Sequence, residues 1–417
     1  MFLNILKKWF GIILVLSLSG GFSFGVIGCG PHPSKNDGVE VKKQEVTTST
    51  MSQVDEKGAV DQNGVCLSSC NPPIETVFSF TKTFSITPAG CIASDAKIFD
   101  SGNGFTAFVS ANCSSQTQLY SLSIGYDGGN PSNPTLLSTA CSNISKELYK
   151  FTVEKGIDGF LGVAVCKTTS KTYSSYLLTF DTEGKPRSER FLQSIDETKE
   201  KIPEYLIAWK ENSRVFGLTR NKSFDRYDKD GRQIGGTTYI PEVSYSTGYI
   251  GLRSYDDIWS LIEYSNYYGS YCHKVSGVGT LQCTGKSMGS DGIRYPLDKD
   301  SILSVKTNGE IGILDFNSST CTASNKNVVE TVLENSLSGI YGAMDLGASY
   351  SSLIYTSSTN VLNMAVFDQD SIVSTTPILD YASFKNAHIQ SVQNRIYVDV
   401  VRDNEAIVTV SDQTLRR

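Results

Sequence analysis

Tyr176 to Gly184 reads YLLTFDTEG, an alternating run of apolar and aromatic residues that breaks at an aspartate and ends three residues later on a glycine. Alternation sends successive side chains to opposite faces of a strand, and Asp followed by Gly is the chemistry of a tight strand turn. The phrase recurs as LYSLSIGYDG (119–128), FDRYDKDG (224–231), YCHKVSG (271–277), IGILDFN (311–317), LNMAVFD (362–368) and AIVTVSD (406–412). Its markers, Asp127, Asp181, Asp228, Ser276, Asn317, Asp368 and Ser411, stand 41 to 54 residues apart, about 47 on average. No long 3.6-residue apolar period accompanies them, which argues against a helical solenoid. A repeat of this length built from four short strands is a propeller blade.

Working outward, further 5- to 8-residue strand runs lie between the markers, among them GFTAFVS (104–110), FLGVAVC (160–166), IWSLIEY (258–264) and RIYVDVV (395–401). The expected fold is therefore all-β: a seven-bladed β-propeller over residues 75–417. Six or eight blades, or paired β-sandwiches, are the alternatives that the uneven spacing leaves open. The last blade has only three strands before the chain runs out, near Ile389, at Arg395–Val401 and at Ala406–Val410. The alternating stretch VFSFTKTFS (77–85) lies outside any complete blade at the other end. It is expected to pair with the last blade and close the ring, which removes two open sheet edges.

Composition agrees. With 417 residues, 39% hydrophobic and 19% charged, the chain can bury a large core and is not disordered. Its 36 Gly, 21 Tyr and 19 Phe against 12 Pro suit many strands and tight turns. A net charge of -6 offers nothing to nucleic acid.

At the N-terminus, Lys7 and Lys8 precede an apolar run from Trp9 to Leu18 and then small residues that lead to Val26-Ile27-Gly28-Cys29. The pattern is that of a secretion signal. Its last four residues resemble the lipobox of bacterial lipoproteins, with an aliphatic residue three before the cysteine and a glycine directly before it. The resemblance implies a signal peptide over 1–28, cleavage, and lipid on Cys29. An uncleaved transmembrane helix is the rival, and Gly20, Gly21, Gly25 and Gly28 count against it. Gly30, rather than aspartate, follows the cysteine, so the family rule implies an outer-membrane location in a two-membrane bacterium. Residues 29–74 then form a tether. From Gly30 to Val77 there is no aromatic residue, and the roughly 36 residues up to Cys66 would span about 30–35 Å as a flexible coil.

The turn phrases resemble those of quinoprotein-like, lactonase-like and NHL-like propeller repeats, most of all FDTEG (180–184) and YDKDG (227–231). Two features depart from related classes. The Trp that closes each quinoprotein-type repeat is absent, and so is the Trp-Asp dipeptide of the WD40 class.

Nine cysteines remain beyond Cys29, and an odd number cannot all pair internally. A two-residue turn at Gly277-Val278 would set Cys272 opposite Cys283, and a disulfide is expected there. Cys66 and Cys70 could close a small loop, or join the tether to the domain through Cys91. No Cys-x-x-Cys pair exists and only three histidines occur, so no metal site and no cofactor is expected.

Catalytic devices have little to draw on. His32 falls in the tether, His273 in the suspected hairpin and His388 at the start of the last blade, where it could face the channel or serve as an ordinary strand residue. GKSMG (285–289) lacks the strand-to-helix elbow that would activate Ser287. Asp228-Lys229-Asp230-Gly231 lacks the glutamate of a calcium loop, since Tyr239 stands at that position. Asp256, Asp257, Asp291, Asp298, Asp300 and Asp345 fall near strand ends, where a channel mouth could lie.

The richest local feature is YDDIWSLIEYSNYYGSY (255–271), five tyrosines and a tryptophan in 17 residues. Trp259, Tyr264, Tyr267 and Tyr268 are the binding candidates, because exposed aromatics supply apolar area at small entropic cost. Packing between blades is the competing role. The expected protein is a cell-envelope lipoprotein, held to a membrane through Cys29, that binds an envelope protein or glycan as a scaffold. A lactonase-like or other hydrolase with a carboxylate or metal site in the channel is the alternative.

Overall fold

The computed structural model describes residues 78–412 apart from short segments between strands, the longest being 328–338; residues 1–77 and 413–417 lie outside it. It contains 28 strands. Among the described residues there is no α-helix.

The first strand, β1 (Lys82–Ser85), precedes the repeats. Blade 1 holds β2 (Ile92–Asp100), β3 (Phe105–Asn112), β4 (Thr117–Ile124) and β5 (Thr135–Leu136), and blade 2 holds β6 (Glu147–Gly156), β7 (Gly159–Lys167), β8 (Thr172–Phe180) and β9 (Pro186–Asp196). Blade 3 follows with β10 (Leu206–Lys210), β11 (Val215–Arg220), β12 (Ser223–Tyr227) and β13 (Thr238–Tyr239). Blade 4 comprises β14 (Ser246–Tyr255), β15 (Ile258–Ser265), β16 (Gly269–Ser276) and β17 (Leu281–Ser287), and blade 5 comprises β18 (Ile293–Pro296), β19 (Ser301–Val305), β20 (Ile311–Asn317) and β21 (Thr322–Asn327). Blade 6 has β22 (Gly339–Gly347), β23 (Tyr350–Thr356), β24 (Val361–Phe367) and β25 (Ile372–Asp380). Blade 7 takes β26 (Phe384–Val392), β27 (Arg395–Arg402) and β28 (Glu405–Val410), and its fourth strand is β1. Every sheet has four antiparallel strands, and those of blades 1 to 6 are simple meanders.

The closing strand behaves as its alternation predicts. Lys82 pairs with Val410, Thr83 with Thr409, Phe84 with Val408 and Ser85 with Ile407. Ahead of it, Phe78 is buried among residues of blades 6 and 7, while Phe84 packs at the seam of blades 7 and 1. β1 and the residues just ahead of it thus wedge aromatic rings into two neighbouring seams.

Apolar burial is distributed in the same way. A separate cluster spans each of the seven seams, from blades 1 and 2 (Phe99, Phe108, Phe160) to blades 6 and 7 (Met364, Val398). This is why second strands such as β7 (GFLGVAVCK) are buried throughout, since each is packed on both faces. At about 1.5–3 kcal/mol per buried Phe or Leu side chain, the seams are the main source of stability.

The recurring turn phrase also links blades. In the β12–β13 hairpin Asp228 accepts backbone hydrogen bonds from Asp230 and Arg232, each under 3.0 Å, which shapes a turn ending at Gly231 with φ +75°. A Cβ on Gly231 would lie 2.9 Å from Thr179 Cγ2 of blade 2. Gly184 approaches Thr106 and Ser121 of blade 1, and Gly279 approaches Arg226 of blade 3. Each turn therefore docks on the preceding blade, and the glycine serves the seam as well as the turn.

The β16–β17 hairpin corrects one expectation. Its turn spans three residues, with the Ser276 N–H donating to Thr280 O and the Gly279 N–H donating to Ser276 O. Two register shifts follow, so Cys283 faces Lys274 and Cys272 faces Lys286. Cys272 is disulfide-bonded, but not to Cys283. Cys91 pairs with Cys113 rather than with the tether, and Cys141 pairs with Cys166. Cys29, Cys66 and Cys70 lie outside the described residues.

Candidate functional site

In an antiparallel meander, the start of the first strand, the end of the second and the start of the third share one edge. In a ring, those edges make one face. Two disulfides sit on it. Cys91 directly precedes β2 and bonds Cys113, just past the end of β3; Cys141 lies in the segment entering blade 2 and bonds Cys166 near the end of β7. Between these staples two large apolar side chains face solvent: Ile92 is 53% exposed and Tyr149 54%. The Tyr149 ring rests on Tyr173, centroids 5.0 Å apart, which fixes its orientation.

The innermost strands of neighbouring blades touch around the channel, including β2 against β26 where the ring closes. Polar groups converge at that closing seam. The Asn386 amide donates to Asp95 Oδ1 at 2.8 Å, and Gln390 donates to the Ile98 carbonyl at 3.2 Å. His388, on the same strand between those two residues, places Nδ1 2.9 Å from Asp399 Oδ2. Asp399 is 1% exposed, whereas the His388 side chain is 39% exposed. Asp399 Oδ1 has no hydrogen-bond partner among the described residues. Burial pushes the Asp95 carboxyl above its ordinary range, opposed by the His388 charge and the Asn386 hydrogen bond and reinforced by Asp399. Lys97, the basic residue of β2, turns towards blade 2, where it donates to Val153 O and Glu154.

The sequence candidates are scattered. Trp259 is fully buried in the seam of blades 3 and 4, where its ring meets Phe224 at 5.3 Å between centroids. Gly217 faces it, and a Cβ there would come within 2.6 Å of the indole, so the bare backbone makes room for the ring. Trp259 is a packing residue and presents nothing to a ligand. Tyr264 contributes backbone pairing to Gly248 and Ser270. Tyr267 and Tyr268 belong to the β15–β16 connection, outside the described residues, as do Asp256, Asp257, Asp291, Asp298 and Asp300. Asp345 lies on β22 opposite Ser351. His273 is buried inside the blade 4 sheet.

Asp95, Asn386 and Asp399 were not singled out by sequence. The available signal was Asp399 itself, an acid in the middle of the apolar strand RIYVDVV.

No family model matches the chain, and no curated protein matches its sequence. Among solved structures it resembles YCF48 from Cyanidioschyzon merolae (12% identity, 79% of this chain and 98% of that chain, TM-score 0.48). It also resembles BBS1N, solved in complex with ARL6DN (8% identity, 82% and 97%, TM-score 0.49). A third likeness is to Chaetomium thermophilum Raptor (6% identity, TM-score 0.49), where 81% of this chain matches 29% of that one. The chain is a seven-bladed β-propeller. These likenesses are of fold alone.

Proposed function

We propose that the protein is a lipid-anchored scaffold of the bacterial cell envelope that binds a protein partner through the disulfide-stapled face of blades 1 and 2. One observation carries this reading: two disulfides brace the loops on either side of exposed Ile92 and Tyr149. Exposed apolar side chains on a pre-ordered surface lose little entropy on association. Each staple closes a loop of 22 or 25 residues, worth about 3 kcal/mol against unfolding on the chain-entropy account. Attachment follows from the lipobox: acyl chains on Cys29 hold the protein to the membrane, and the segment up to Phe78 gives the propeller reach.

The His388–Asp399 pair is assigned to recognition rather than hydrolysis. Ser94 Oγ is engaged with Ser110 Oγ at 2.8 Å rather than with the imidazole, and no three His, Cys, Asp or Glu side chains converge on one point among the described residues.

A photo-crosslinking residue at position 149, in the full lipidated chain in its native envelope, should capture a partner. The same residue at Ile157, exposed in the β6–β7 turn on the opposite face, should not. Capture from 157 alone, or equally from both, would refute the assignment of the face.

A further inference from the structure

We propose that the closing seam holds a subsite for a cationic group, the ammonium or guanidinium of a basic side chain on the partner; this rests on the protein-binding reading above. Two carboxylates, Asp95 of β2 and Asp399 of β27, flank His388 where blade 7 meets blade 1. Asp399 is buried with one oxygen bonded to His388 and the other without a hydrogen-bond partner among the described residues. Asp95 stays partly accessible and receives only the Asn386 amide and its own neighbour's N–H, from Ala96.

Against these two acids the seam sets one imidazole, that of His388. Lys97 reaches blade 2 instead, and among the described residues no Lys or Arg bonds to either carboxylate. Two buried acids that share a single imidazole are costly, and sites that bind charge are where proteins keep such groups. A small metal ion suits the site poorly, because no three ligating side chains meet at one point among the described residues. An organic cation needs only Asp95 at the surface, with Asp399 behind it holding the imidazole in place.

The test uses the full chain and a fluorescein-labelled tetralysine peptide, with tetraglutamate as the opposite-charge probe, at about 20 mM salt where screening is weak. Asp95→Asn should weaken tetralysine binding at least tenfold. Asp181→Asn removes the same charge from a turn on the opposite face and should leave binding unchanged. Equal loss in both variants, no loss in Asp95→Asn, or equal binding of tetraglutamate would overturn the subsite. Envelope capture separates the two readings. If wild type and Asp95→Asn capture the same partner equally, the subsite is wrong and the scaffold stands. If neither captures a partner, both fall.

Discussion

The Thr81 hydroxyl donates a 2.7 Å hydrogen bond to the Asp412 carboxylate across 331 residues of chain. Ser79 donates to the other oxygen at 2.7 Å, and the Asp412 N–H returns a bond to the Ser79 carbonyl. These contacts continue the pairing of β1 with β28 and tie the segment ahead of β1 to the last blade.

Removal of residues 75–86 should therefore abolish cooperative unfolding. It exposes the edge of β28 and empties the Phe78 and Phe84 sites in two seams. Calorimetry distinguishes the outcomes: a merely lowered but still sharp transition would mean that the ring holds without this strand.

The hydrogen bonds from Thr81 and Ser79 hold the Asp412 carboxyl below its usual range. A depressed folded-state value contributes stability that is present above about pH 4 and disappears as pH falls through that lowered value. Asp412→Asn should lower the neutral plateau of the melting-temperature profile and flatten its acid limb, so that variant and wild type converge below about pH 4. An acid limb identical to that of wild type would show that the latch is not coupled to folding.

Asp95 has the opposite sign. Its folded-state value is raised chiefly by burial, so its favourable share is present below about pH 4 and is lost as pH rises through the raised value. Asp95→Asn keeps an acceptor for Asn386 and should raise the melting temperature at neutral pH. The gain should vanish below about pH 4, where the wild-type carboxyl is also neutral. A variant less stable than wild type at pH 7 would contradict this account.

Trp259→Ala should cost about 3–5 kcal/mol in urea unfolding, the usual range for emptying a large aromatic site. Gly217→Ala should cost about 1–3 kcal/mol by forcing a methyl group into the indole. Neither change touches the stapled face, so crosslinking from position 149 should persist wherever the variants remain folded.

Non-reducing peptide mapping should recover Cys91 joined to Cys113 and Cys141 joined to Cys166. Cys283→Ser should leave the disulfide of Cys272 intact, whereas a new thiol at Cys272 in that variant would restore the hairpin pairing set aside above.

Local patterning alone was sufficient for the architecture. Period-two alternation, turn residues at regular intervals and an orphan strand at the front specify four-stranded units, their number and the closure, because each is a property of neighbouring residues. A single unseen residue limited the rest. The β16–β17 turn is one residue longer than Gly277-Val278 implies, and each later register shift moves Cys283 further from Cys272. Trp259 lies in an aromatic-rich stretch, but its burial depends on Gly217, 42 positions earlier, which leaves space for the indole. The seam of Asp95, Asn386, His388 and Asp399 exists only because the ring closes. Residues 291 positions apart meet there, and their electrostatics arise from burial against another blade, which no periodicity along the chain encodes.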